Sequence, residues 1–216
     1  MRKRPQVQDA TVAGWTAASG AAILVLASFS IPFLAGGMVW DWRWCLPVLF
    51  QAVWCLVEGG TTARFRSGGG IGPVRDLGLP WTTALVALAI TLLALGDRFG
   101  QLRWTTASVG NPAIALLGAV IGGVGVALRR AAIRTLGDRF RDDIALGTDH
   151  VIERAGIYAR FSHPGELGFA LAMFGTVMMC RSLSAFAVYL GLLVPLMVIR
   201  IRRENRMLAV APVTPG

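Results

Sequence analysis

An all-α integral membrane protein of five or six transmembrane helices is the fold class this sequence predicts, and three observations predict it. The chain has 216 residues, 55% of them hydrophobic and only 15% charged, against about 25% charged in soluble domains. The apolar residues come in long blocks, not in amphipathic stripes. The basic residues sit in short clusters between the blocks instead of covering one face. The formal charge of +9 therefore reads as membrane topology, not as a nucleic-acid surface.

The blocks follow in order: about Gly14–Val39, Trp44–Val57, Trp81–Leu95, Ser108–Leu128, Leu167–Met179 and Leu183–Ile199. A basic N-terminus, MRKRPQVQDATVAGW, precedes the first. The run Ala17–Val39 exceeds the ~7–15 residues of a signal-peptide core, which predicts a retained first transmembrane helix. A span needs ~20 residues. The first and fourth blocks reach that length; the second, third and fifth are short and need flanking Trp and Arg or a thinned bilayer. Trp40, Trp42, Trp44, Trp81 and Trp104 stand at block edges, where interfacial aromatics belong. The loop between the second and third blocks contains GGGIGP, Gly68 to Pro73. No strand pattern precedes it, so it reads as a flexible loop and not a phosphate cradle. In the fourth block Gly118 and Gly122 form a GxxxG pair, expected to pack helices within the chain. Cys45, Cys55 and Cys180 have no paired spacing, which indicates neither a disulfide framework nor a metal site.

Charge tests the count. With six crossings, one side holds Arg2, Lys3, Arg4, Arg64, Arg66, Arg75, Arg129, Arg130, Arg134, Arg139, Arg141, Arg154, Arg160, Arg200, Arg202, Arg203 and Arg206. The other holds Arg43, Arg98, Arg103 and Arg181. Seventeen against four puts both termini in the cytoplasm by the positive-inside rule. Twenty Arg against one Lys, with abundant Ala and Gly, suggests a GC-rich bacterial source and hence a bacterial cytoplasmic membrane. The chain reads as one membrane domain: N-terminal helices over 1–128, then a loop, hairpin and tail over 129–208.

The polar chemistry gathers in that second part. The segment Arg129–Glu166 holds both histidines, His150 and His163, and ends in GIYARFSHPGELG, Gly156 to Gly168. After an apolar hairpin comes RIRRENRML, Arg200 to Leu208. A hairpin returns its tail to the edge where it began, so the two clusters are expected to meet at one cytoplasmic edge. On a continuing helix Arg200 and Glu204 share a face, and their pairing would offset the cost of charge at the membrane.

These motifs resemble the isoprenylcysteine carboxyl methyltransferases and the related phospholipid N-methyltransferases. Their pattern is G-x-Y-x-x-x-R-H-P-x-Y-x-G, an apolar hairpin, then R-I-x-x-E-E-x-x-L. This chain offers Gly156, Tyr158, His163, Pro164 and Gly168, then Arg200, Ile201, Glu204 and Leu208. The resemblance covers roughly Leu128 to Leu208. It implies a membrane enzyme that binds S-adenosylmethionine in a cytoplasmic pocket, without a Rossmann fold. By that resemblance His163 hydrogen-bonds the cofactor, Pro164 shapes the turn and Tyr158 lines the pocket. Gly156 and Gly168 allow close backbone approach, and Arg200 with Glu204 holds polar parts of cofactor or substrate. The chain departs from the pattern at Ser162 for Arg, Glu166 for Tyr and Asn205 for Glu. Loss of the Arg weakens the case for a prenylcysteine carboxylate. Glu166 adds an acid that could serve as a base or hold a cation.

The expected activity is methyl transfer to a lipophilic or membrane-delivered acceptor: a carboxylate, an amine or a thiol. Two other readings stand beside it. One is a non-catalytic membrane protein that retains the fold; the other is a membrane reductase related to sterol reductases, which would bind NADPH. The expected partners are the membrane and a lipid or lipophilic substrate, with no nucleic acid.

Overall fold

A computed structural model describes residues 42–65, 78–98, 112–137 and 156–210, together with 19, 20 and 23. Among the described residues the regular structure is entirely helical. The expected first helix lies almost wholly outside them; Ser19, Gly20 and Ile23 are helical. The glycine-rich loop and His150 also lie outside.

The helices are α1 (Trp42–Phe65), α2 (Gly78–Arg98), α3 (Pro112–Leu136), α4 (Pro164–Cys180), α5 (Leu183–Val188) and α6 (Val194–Val210). A one-turn π segment, Tyr189–Leu193, joins α5 to α6, so the last two run as one continuous rod. Within it the Val194 N–H reaches back to the Tyr189 carbonyl, the five-residue spacing of a π turn. A short 3-10 turn, Gly156–Ala159, precedes α4.

The short second and third blocks become helices of 24 and 21 residues. Polar turns at their ends supply the length the apolar cores lack. Among the described residues two helices are long and apolar enough to cross a membrane, Pro112–Leu136 and Leu183–Arg206. The apolar stretches of the other helices are shorter, Cys45–Glu58, Thr82–Asp97 and Pro164–Cys180, and α4 has 17 residues, about 26 Å of rise.

Side-chain contacts fix the direction of each helix. Glu58, late in α1, meets Arg129, late in α3, and Arg129 reaches Gly165 at the start of α4. The start of α4 also meets Arg200 and Asn205 late in α6. At the opposite end, Asp97 late in α2 accepts hydrogen bonds from the hydroxyls of Ser182 and Ser184. α1, α2, α3, α4 and the α5–α6 rod therefore alternate in direction. The α4–α5 turn is two residues. Arg181 takes the left-handed conformation, φ 56°, and Ser182 caps α5 by accepting from the Ala185 N–H at 3.0 Å.

Packing is tightest between α3 and α4. A Cβ added at Gly125 would lie 2.5 Å from the Ala172 nitrogen and 2.6 Å from the Gly168 carbonyl oxygen. One added at Gly118 would lie 2.8 Å from the Gly175 carbonyl oxygen. Glycine permits this approach of two backbones, the membrane-helix way of gaining contact without a hydrophobic driving force. The expected intrachain use of the GxxxG pair holds: Gly118 seats α4, and Gly122 seats the Phe50 ring of α1. Many large apolar side chains face outward. Leu49, Val53, Leu85, Leu116, Val120, Leu192 and Val198 are all exposed. Buried polar groups are few and bonded: Thr176 Oγ1 lies 3.1 Å from Gln51 Oε1 and 3.1 Å from the Ala172 carbonyl. Large apolar side chains also fill the interior, among them Trp54, Ile90, Leu95, Met173 and Leu193, so the bundle is apolar on both its inner and outer faces.

Candidate functional site

The site forms where the start of α4 meets the end of α6. Pro164 begins α4, where its fixed φ suits a helix and its missing N–H costs nothing. It is fully buried. His163 occupies the cap position, but its side chain makes no capping bond. The imidazole instead turns across the gap to α6. Its Nδ1 lies 3.2 Å from Glu204 Oε2, and its Nε2 lies 3.0 Å from Asn205 Oδ1.

Two ring nitrogens facing two oxygens suit an imidazolium, which donates from both. The hydrogen bond to Glu204 is the largest reason that the His163 pKa is raised above 6.5. The Glu204 charge, the Asn205 bond and the Glu166 charge add to it, while partial burial opposes it.

Glu166 stands in the first turn of α4, where the helix dipole favours an acid. It is not a solvated surface group. Its Oε1 lies 3.1 Å from Arg200 Nε, and both side chains are largely buried. The pairing differs here from the sequence expectation. The sequence pairs Arg200 with Glu204 along one helix face. The structure places Arg200 on Glu166 and Glu204 on His163. The physical reason is burial: Arg200 is 8% exposed, and the α4 acid reaches it in a desolvated position, whereas the Glu204 side chain is 41% exposed.

Asn205, a departure from the resembled pattern, thus holds a nitrogen of the central histidine. Ser162 is exposed beside it. Gly156 sits at φ 58°, a conformation that favours glycine, and opens the 3-10 turn that carries half-buried Tyr158. That turn packs on the end of α3. Gly168 makes a close approach to a neighbouring helix. Its close backbone approach is taken by α3, with the Arg129 nitrogen 2.6 Å and the Gly125 oxygen 2.7 Å from where its Cβ would be. The small residue at Gly168 thus lets α3 and α4 approach.

Beneath the site lies a pair that sequence reasoning missed. Arg129 is 5% exposed. Its Nε lies 2.9 Å and 2.8 Å from the two carboxylate oxygens of Glu58, and its Nη2 joins Oε1 as well. Its Nη1 donates to the Gly165 carbonyl at 3.2 Å, and its guanidinium stands 5.3 Å from the Phe169 ring centroid. In sequence Arg129 is one of many topology arginines. The available signal was Glu58, an acid at the end of an apolar block, which asks for a partner. Among the described residues no cluster of three or more His, Cys, Asp or Glu could hold a metal ion.

Residues 116–210 match the sequence model of the isoprenylcysteine carboxyl methyltransferase family. The resemblance carried by the two motifs is thereby borne out over that stretch. It contains every candidate residue named above except Glu58. No curated protein and no solved structure matches the chain.

Proposed function

We propose that the protein is an integral membrane methyltransferase that takes its methyl group from S-adenosylmethionine. One observation carries this reading. The His163–Glu166 turn and the Arg200–Asn205 segment, 42 residues apart at the His163–Asn205 contact, are joined by three polar contacts inside the stretch that matches the family. The family match implies a membrane methyltransferase.

The side chains present suit the cofactor. S-adenosylmethionine offers an ammonium, a carboxylate and a sulfonium. Glu204 is acidic and partly exposed, and His163, with Asn205 on its other ring nitrogen, lies directly against it. In this reading the site residues are Gly156, Tyr158, His163 and Pro164 on the cofactor side, with Gly168 supporting the turn from behind. Arg200, Glu204 and Glu166 form the polar wall toward the acceptor. The bound cofactor supplies an electrophilic methyl group, and in-line transfer requires positioning more than a covalent intermediate. The protein's contribution is to hold both partners and exclude water. Glu166, paired with Arg200, steadies positive charge on the acceptor side. His163, doubly hydrogen-bonded, fixes the α6 segment against the loop.

The acceptor is lipophilic or delivered by the membrane. The exposed apolar surfaces of α1, α3 and α5–α6 favour a site at a bilayer edge, reachable from lipid and from water. The topology proposed is five or six crossings of a bacterial cytoplasmic membrane, with both termini and the site cytoplasmic. Calorimetry of the detergent-purified protein with S-adenosylmethionine tests the reading. Wild type binds, and H163A loses binding. A folded wild type that binds no S-adenosylmethionine sinks it, and binding of NADPH in its place supports a reductase.

A further inference from the structure

The Glu58–Arg129 pair joins three helices. Glu58 comes from α1, outside the stretch matched by the family; Arg129 comes from α3; the Gly165 carbonyl and the Phe169 ring come from α4. A buried ion pair is weak evidence for stability, because desolvation offsets its attraction. Its geometry here is specific. Arg129 meets the carboxylate with Nε and Nη2, which fixes the guanidinium plane. The remaining nitrogen, Nη1, then points at the carbonyl two residues after His163 and one residue before Glu166.

We propose that Glu58 and Arg129 are positioning residues, which set the His163–Glu166 turn by anchoring the Gly165 carbonyl to the end of α1. With that carbonyl fixed, the first turn of α4 presents His163 to Glu204 and Asn205, and Glu166 to Arg200. Without it, the turn loses its polar tie to α1. The proposal concerns the site described above; only its second readout rests on the methyltransferase reading.

The test separates positioning from packing. E58L/R129M replaces the pair by apolar side chains of similar size, a change that buried pairs often tolerate without loss of stability. The chain has two histidines, so in an H150Q background the imidazole NMR signal belongs to His163. The expected result is an unchanged thermal midpoint and helix content, a His163 titration midpoint moved down toward its ordinary ~6.5, and S-adenosylmethionine affinity reduced about tenfold. A folded double variant with the wild-type His163 midpoint and wild-type affinity overturns the proposal. If the double variant does not fold, E58D, one methylene shorter with its charge kept, carries the same titration: a displaced midpoint supports positioning and a wild-type midpoint overturns it. A displaced midpoint in a protein whose wild type binds no S-adenosylmethionine upholds the positioning role and defeats the methyltransferase reading.

Discussion

His163 shows how one side chain depends on its neighbours. Its raised pKa follows first from the Glu204 hydrogen bond, then from the Glu204 charge, the Asn205 bond and the Glu166 charge. A group with a raised folded pKa contributes stability fully below its unfolded value of ~6.5, and that contribution fades as pH rises through the folded value. E204Q removes the main cause. The melting temperature of E204Q should therefore fall below that of wild type at pH 5.5, and the gap should close as pH rises past the wild-type His163 midpoint. Thermal melts across pH 5.5–9 check this; a gap that widens with pH contradicts it. Glu166 belongs to the same scale. E166Q leaves Arg200, 8% exposed, without its anionic partner. Loss of one member of a buried pair typically costs ~3–5 kcal/mol, so E166Q should be markedly less stable in denaturation assays. E166A with full methylation activity would show that Glu166 is neither base nor cation holder.

At the scale of the element, the α3–α4 pair governs. Gly168 and Gly125 meet backbone atoms, which cannot rotate aside. Overpacking typically costs ~1–3 kcal/mol, and the rigid contact puts G168A near the upper end, at about 3 kcal/mol. Gly123 has nothing within 4 Å of its Cβ position, so G123A should stabilise α3 by about 0.5–1 kcal/mol through helix propensity alone. Thermal denaturation of the two variants in the same detergent should move in opposite directions. Because G168A displaces Arg129 at its backbone nitrogen, it should also weaken cofactor binding, although Gly168 lies behind the site.

For the whole molecule, the alternating helices make a sidedness prediction. With native cysteines replaced, S162C and R206C should react with a membrane-impermeant maleimide from one side and L183C from the other. Labelling of all three from one side breaks the topology. Part of the fold was legible in the sequence. Long apolar blocks mark the helices, and two polar motifs flanking a hairpin mark the edge where they meet. The pairing within that edge was not legible. Helix periodicity places Glu204 beside Arg200, but burial of Arg200 hands it to Glu166, and only packing reveals burial. Glu58 and Arg129 stand 71 residues apart, and neither periodicity nor spacing connects them. The α3 contact of Gly168 was not legible for a related reason: a glycine announces close approach, not what approaches.

The π turn at Tyr189–Leu193 sets the phase of everything after it. A five-residue step holds one residue more than an α turn, and each residue advances a helix by about 100°. The rod is therefore clocked at its middle, and its far end faces a direction that an uninterrupted α-helix of the same sequence would miss. Removing Gly191, which is exposed and has nothing within 4 Å of its Cβ position, should let the α hydrogen bonds close. Because the deletion takes out the turn's one extra residue, Arg200 and Glu204 would still face Glu166 and His163. The orientation of the site is thus written about ten residues upstream of it, in a segment that carries none of its chemistry.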